Sequence, residues 1–199
     1  MLKYQIALLL VVTLISCKKE NSVTINYTKE NTAALKKDSE MKSFFDFDKV
    51  EYYYNQIDPN ILFSNYDKPD YKDKQSDLYK YMQLVEGYYP EKIHQENFIN
   101  DLLGFGYKKR NINSTDFPML NTVFSEIKCD ESFAMACTPI YRDILIFYNN
   151  DKIVGIAKIC FGCRQSYIIG TNKDDSEFGQ CGGFENLEAL LNIYKKSLQ

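Results

Sequence analysis

The stretch that decides the fold is YRDILIFYNNDKIVGIAKICFGCRQSYIIGT, residues 141–171. Tyr141–Tyr148 and Ile153–Phe161 are rich in β-branched and aromatic side chains, which suit a pleated surface. Asn149-Asn150-Asp151-Lys152 between them is a polar, turn-forming spacer, so the two runs read as a hairpin. Ser166–Thr171, following Cys163, reads as a third strand. On the C-terminal side a loop from Asn172 to Gly183 leads to an amphipathic helix, with Phe184, Leu187, Leu190, Leu191 and Tyr194 on one side.

Working toward the N-terminus, Thr115 can cap a short helix with Pro118 in its first turn and Leu120, Val123 and Phe124 as its apolar residues. A longer helix is expected from Pro90 to Gly104, its face formed by Ile93, Phe98 and Leu102, with Gly104 and Gly106 making the cap and turn. Leu78, Tyr81, Met82 and Val85 recur at helical spacing after Ser76 and before Gly87, which predicts a helix over 76–86. Asn65–Gln75, dense in Asp and Lys, reads as a solvent-facing loop. Val50, Tyr52 and Tyr54 alternate with Glu51, Tyr53 and Asn55, the period of a strand, which Asp58-Pro59-Asn60 ends. The expected class is therefore α+β: helices in the first half of the domain, an antiparallel hairpin and meander in the second, and a closing C-terminal helix. The helices are expected to cover one sheet face.

Composition narrows the function. With 199 residues, 45% hydrophobic and 26% charged, the chain is ordinary globular material of a length that favours one domain plus appendages. A net charge of −3 without a basic block argues against a nucleic-acid partner, whose phosphates require clustered Lys and Arg. The 16 Tyr and 13 Phe fall mostly on apolar faces of the expected elements and so read as core, with Tyr52-Tyr53-Tyr54 and Tyr88-Tyr89 the clusters that could instead meet a ligand. His94 is the single histidine, which excludes multi-histidine metal sites. There is no GxSxG elbow, no phosphate-cradling glycine loop and no dinucleotide fingerprint. Asp174, Asp175 and Glu177 lack calcium-loop spacing, and Arg142-Asp143 reads as surface pairing. No catalytic residue is assigned, and the protein or small-molecule partner is left unnamed.

Chemistry, if the chain has any, rests on cysteine. Beyond Cys17 there are five, Cys129, Cys137, Cys160, Cys163 and Cys181, all near the C-terminus. Three readings stand. In an exported protein they form disulfides, at most two bridges with one thiol left over, for example Cys137 to Cys181. Alternatively Cys160-Phe161-Gly162-Cys163 is a thiolate knuckle that, with two of the other three, holds zinc. Or Cys160 and Cys163 are an exchanging dithiol, although a strand rather than a helix follows them, so the usual thiolate-stabilising helix N-terminus is missing.

The N-terminus supplies the compartment. Lys3 is followed by an apolar run from Ile6 to Ile15, too short to cross a hydrocarbon core comfortably, which takes about 20 residues. It reads as an export signal over residues 1–16. Leu14-Ile15-Ser16-Cys17 resembles the lipobox of bacterial lipoproteins. The resemblance implies diacylation of the Cys17 thiol, cleavage before Cys17 and acylation of the new amino terminus, the several chains that a durable membrane anchor requires. Residues 17–40 then form the lipidated cysteine and a polar tether, and 41–199 the domain. Cys137-Thr-Pro-Ile-Tyr-Arg-Asp143, Lys158-Ile-Cys-Phe-Gly-Cys163 and Phe178-Gly-Gln-Cys181 also resemble uncharacterised lipoproteins of the Bacteroidota kind, a resemblance that covers the domain from about residue 47 and implies no activity. It implies attachment to the outer membrane of a Gram-negative bacterium, on its periplasmic or its surface side.

Overall fold

A computed structural model describes residues 42–130, 133 and 135–198; the signal, Cys17 and the tether lie outside the described residues. Five strands, β1 (Lys49–Tyr54), β2 (Lys108–Asn111), β3 (Asp143–Asn149), β4 (Lys152–Cys160) and β5 (Gln165–Ile169), form one sheet in the order β2-β1-β3-β4-β5. Every neighbouring pair is antiparallel. The expected hairpin is β3–β4, and Asn150 and Asp151 at its tip both take positive φ, 49° and 58°, the turn geometry whose twist matches the flanking strands. Gly155 is required by packing: a Cβ there would lie 2.2 Å from the ring of Phe45, which lies on the sheet at that point.

The helices are α1 (Pro59–Phe63), α2 (Asp77–Val85), α3 (Phe98–Gly104), α4 (Phe117–Val123) and α5 (Gly183–Lys195). The α+β class stands, with the closing helix in its expected place. Other expectations change. The strand expected around Val50–Asn55 is β1, an inner strand of the sheet, and the first half also supplies an edge strand, β2, that the sequence pattern does not predict; the helices cover both sheet faces rather than one. Alternate side chains along a strand point to opposite faces, and both registers are apolar here. Val50, Tyr52, Leu145, Phe147, Ala157 and Ile159 pack with Leu187, Leu190 and Leu191 of α5 and with Leu120 and Val123 of α4. Tyr53, Ile144, Ile146 and Ile156 pack with Leu62 of α1, Met82, Leu84 and Val85 of α2, and Phe98 and Leu102 of α3.

Local signals explain most element ends. The Ser76 hydroxyl accepts from the Tyr79 N–H and caps α2 as expected. Asp58-Pro59-Asn60 starts a helix rather than simply ending a strand: the Asp58 carboxylate accepts from the Asn60 N–H, and Pro59 stands in the first turn of α1. The helix expected from Pro90 begins only at Phe98, so His94 lies in the turns before α3 and is exposed. The helix expected to be capped by Thr115 begins at Phe117, with a single 3₁₀ turn at Ser114–Asp116 before it. Among the described residues no helix is long and apolar enough to cross a membrane.

Candidate functional site

The cysteines gather around one end of the sheet. Cys129 is bridged to Cys181 and Cys137 to Cys163, while Cys160 is buried and unbridged. The pairing Cys137 to Cys181 does not occur. Cys160 and Cys163, the candidate dithiol, are not bonded to each other. Among the described residues no three Cys, His, Asp or Glu side chains come together in a way that could hold a metal ion, so the zinc knuckle is not assembled.

The two bridges hold the segment between α4 and β3 against the loops that precede β5 and α5. They close separations of 52 and 26 residues; in the chain-entropy account loops of that size stabilise by about 4 and about 3.5 kcal/mol. Side-chain amides add to the staples. Gln165 Nε2 donates to the carbonyls of Met135 (2.8 Å) and Cys137 (3.0 Å). Gln180 accepts from the Phe133 N–H at 3.1 Å and donates to its carbonyl at 3.0 Å. The Glu177 carboxylate accepts from the Cys129 N–H at 2.7 Å. Phe133 and Met135 remain exposed on this held segment.

Beside Cys160, two residues back along β4, the fully buried Lys158 projects to the same face. Its ammonium donates to the carbonyls of Leu84 (2.8 Å), Gly87 (2.7 Å) and Tyr89 (2.9 Å), with Gln83 at 3.3 Å. Gln83 and Leu84 belong to the last turn of α2. The Gln83 carbonyl already accepts from the Gly87 and Tyr89 N–H groups at 3.0 and 3.2 Å, so it is at Leu84, Gly87 and Tyr89 that the lysine serves carbonyls at the helix C-terminus, where it also meets the negative end of the dipole. The rings of Tyr141 and Tyr167 flank the ammonium at 4.6 and 5.2 Å. Burial lowers the lysine's pKa well below its ordinary value. The same burial, with Cys160 beside it, pushes the Tyr141 phenol up to about 12. Tyr141, Cys160 and Cys163 form one small buried cluster with Tyr167 against it.

Two further charged groups lie within the sheet. Asp143 on β3 accepts from the Tyr52 hydroxyl (2.5 Å) and from Lys195 of α5 (2.9 Å). Burial raises its pKa; Lys195 and Tyr52 pull the other way without cancelling the effect. Glu51, on the opposite face of β1, is also opposed by burial. There the hydrogen bonds from Lys49, Tyr53, Tyr148 and Lys109 outweigh it and hold the carboxyl below its ordinary range. Arg142 and Asp143 are thus not a surface pair: Arg142 donates through Nε and Nη2 to the Ile57 carbonyl at 3.1 and 3.0 Å.

The five cysteines that lie close along the chain are divided by the structure into two bridges and one buried thiol, and sequence reasoning passed over Lys158, Glu51 and the buried role of Asp143. The signal was present: Lys158 interrupts the otherwise apolar run Ile153–Cys160, and a charge inside a buried strand must have partners. Of the tyrosine clusters, Tyr52 and Tyr53 are fully buried, Tyr89 donates to Asp101, and Tyr88 is exposed with its ring edge-on to Tyr167. Comparison with protein-family models, with curated proteins and with solved structures returns no match. The class that fold and site define is accordingly a disulfide-stapled α+β domain with a five-stranded antiparallel sheet.

Proposed function

We propose that this chain is a lipid-anchored extracytoplasmic module, serving in binding or in envelope structure rather than in catalysis, with a cysteine-stabilised sheet. The observation that carries the reading is Leu14-Ile15-Ser16-Cys17 directly after a complete export signal and ahead of a polar tether. Acyl chains on Cys17 would attach the domain to the outer membrane of a Gram-negative cell, and the tether would let it stand clear of the lipid. Support comes from the two bridges, since such bonds persist in oxidising compartments and are rare in the cytosol.

Metabolic labelling of cells expressing the full chain with an alkyne fatty acid tests it, combined with membrane fractionation and intact mass. The expected result is label on the wild type, none on Cys17→Ser, and a mature mass beginning at residue 17. An unlabelled chain recovered from the soluble fraction would sink the proposal. A second reading, thiol–disulfide chemistry at Cys160 and Cys163, is favoured by one observation: a reduced cysteine is buried in the same cluster as a bridged one.

A further inference from the structure

β4 ends at Cys160, and a tight turn, in which the Arg164 N–H donates to the Phe161 carbonyl at 3.3 Å, sends the chain back as β5. Cys163 lies in that turn. Cys160 and Cys163 are buried in one cluster, whereas Cys137, the other half of the bridge, is exposed. The three residues are thus a buried free cysteine, a buried bridged cysteine in the same cluster, and the exposed partner of that bridge. The Ile140 N–H donates to Cys160 Sγ at 3.3 Å, so the segment that carries Cys137 reaches the free thiol directly.

We infer that Cys160, Cys163 and Cys137 form a thiol–disulfide exchange centre in which the staple moves between Cys137–Cys163 and Cys160–Cys163. The Cys160 thiol gives its proton to solvent, and the thiolate attacks Sγ of Cys163. The Cys160–Cys163 bond forms as the Cys137–Cys163 bond breaks, and the departing electron pair stays on Cys137 Sγ, which takes a proton from water. One S–S bond replaces another, so no external oxidant or reductant enters. Attack falls on Cys163 because it shares the buried cluster, and Cys137 leaves well because its thiolate emerges into water.

The exchange does not set the segment loose. Cys129–Cys181 remains, the Tyr141 N–H still donates to the Val85 carbonyl at 2.8 Å, and Gln165 still holds the carbonyls on either side of Ala136. Its product is an exposed Cys137 thiol on a held loop. The chemical class it engages is a disulfide of another molecule: the Cys137 thiolate attacks one of its sulfurs, forms a mixed disulfide and expels the other as thiolate. This step goes beyond membrane anchoring and reads different residues, so either idea can fail without the other.

The test is to incubate the native full chain with glutathione disulfide, quench with N-ethylmaleimide under denaturing conditions, and map every cysteine by peptide mass. Expected are a glutathione adduct on Cys137 together with a Cys160–Cys163 bridge, and at least about a tenfold loss of that adduct in Cys160→Ser. An adduct on Cys160 itself, or no adduct, overturns the inference. Should Cys160→Ser fail to fold, Cys137→Ser supplies an independent reading. It should hold a Cys160–Cys163 bridge and leave no thiol to alkylate, and alkylation of both Cys160 and Cys163 after unfolding would overturn the exchange.

Discussion

Lys158 and Lys195 are two cations set into opposite faces of the same sheet, and they are accommodated by different means. Lys195 meets a carboxylate, Asp143, with Tyr52 as a second donor to that oxygen and the rings of Tyr54 and Phe161 at 5.0 and 5.2 Å. Lys158 meets no carboxylate; its partners are main-chain carbonyls at the end of α2 and just beyond it. A carboxylate can be exchanged for another side chain, but a main-chain carbonyl cannot. The Lys195 site is therefore a replaceable pair, and the Lys158 site is part of how the chain from Gln83 to Tyr89 is shaped.

That contrast can be broken most directly at Lys158. Lys158→Met should cost about 3 kcal/mol or more, because several buried carbonyls lose their donor at once. A urea midpoint close to the wild type would refute the cage as a determinant of stability. Lys195→Met alone should cost about 3 kcal/mol at neutral pH, since it leaves the Asp143 charge buried without its cation. The double variant Asp143→Asn with Lys195→Met should recover much of that loss, and a double-mutant cycle showing simple additivity would deny the pairing. No companion substitution is expected to rescue Lys158→Met.

The carboxylates sharpen the comparison through pH. Glu51 is held below its ordinary range, so its contribution is present above its unfolded value, about 4.3, and is lost as pH falls through the folded one. Asp143 is raised, so its contribution is full below its unfolded value, about 3.9, and is lost as pH rises through the folded one. Melting temperature against pH should then flatten on the acid side in Glu51→Gln and on the side above about pH 4 in Asp143→Asn. Two variants with the wild-type profile would contradict both assignments. The smallest effect is expected at the exposed Arg164–Glu185 pair, where Glu185→Gln should cost under about 1 kcal/mol by thermal unfolding and less at high salt.

The sequence was legible where one signal decided the structure. Asn150-Asp151 between two β-rich runs makes a hairpin whatever surrounds it, and Ser76 followed by helical spacing makes α2. It was less legible where partners far along the chain decide. Lys108–Asn111 carries no strand pattern, because β2 is an exposed edge strand that forms by pairing with β1. Pro90–Asn97 looked helical, yet the carbonyls of Gly87 and Tyr89 accept from Lys158, and that of Pro90 accepts from the Tyr167 hydroxyl. Those acceptors are engaged by the sheet. The one-face reading failed because the sequence YYY at 52–54 alternates in size with neither register, and both Tyr52 and Tyr53 are buried.

Sequence alone thus determined the α+β class, the hairpin, the closing helix and the collection of cysteines near one end of the chain, because each follows from periodicity, turn chemistry or spacing within a few residues. Tertiary structure alone decided which cysteines pair, which face each helix covers and what surrounds Lys158. Those outcomes depend on which distant groups come within bonding distance. Spacing along a chain does not fix that distance; the packing of the sheet between its two helical layers does.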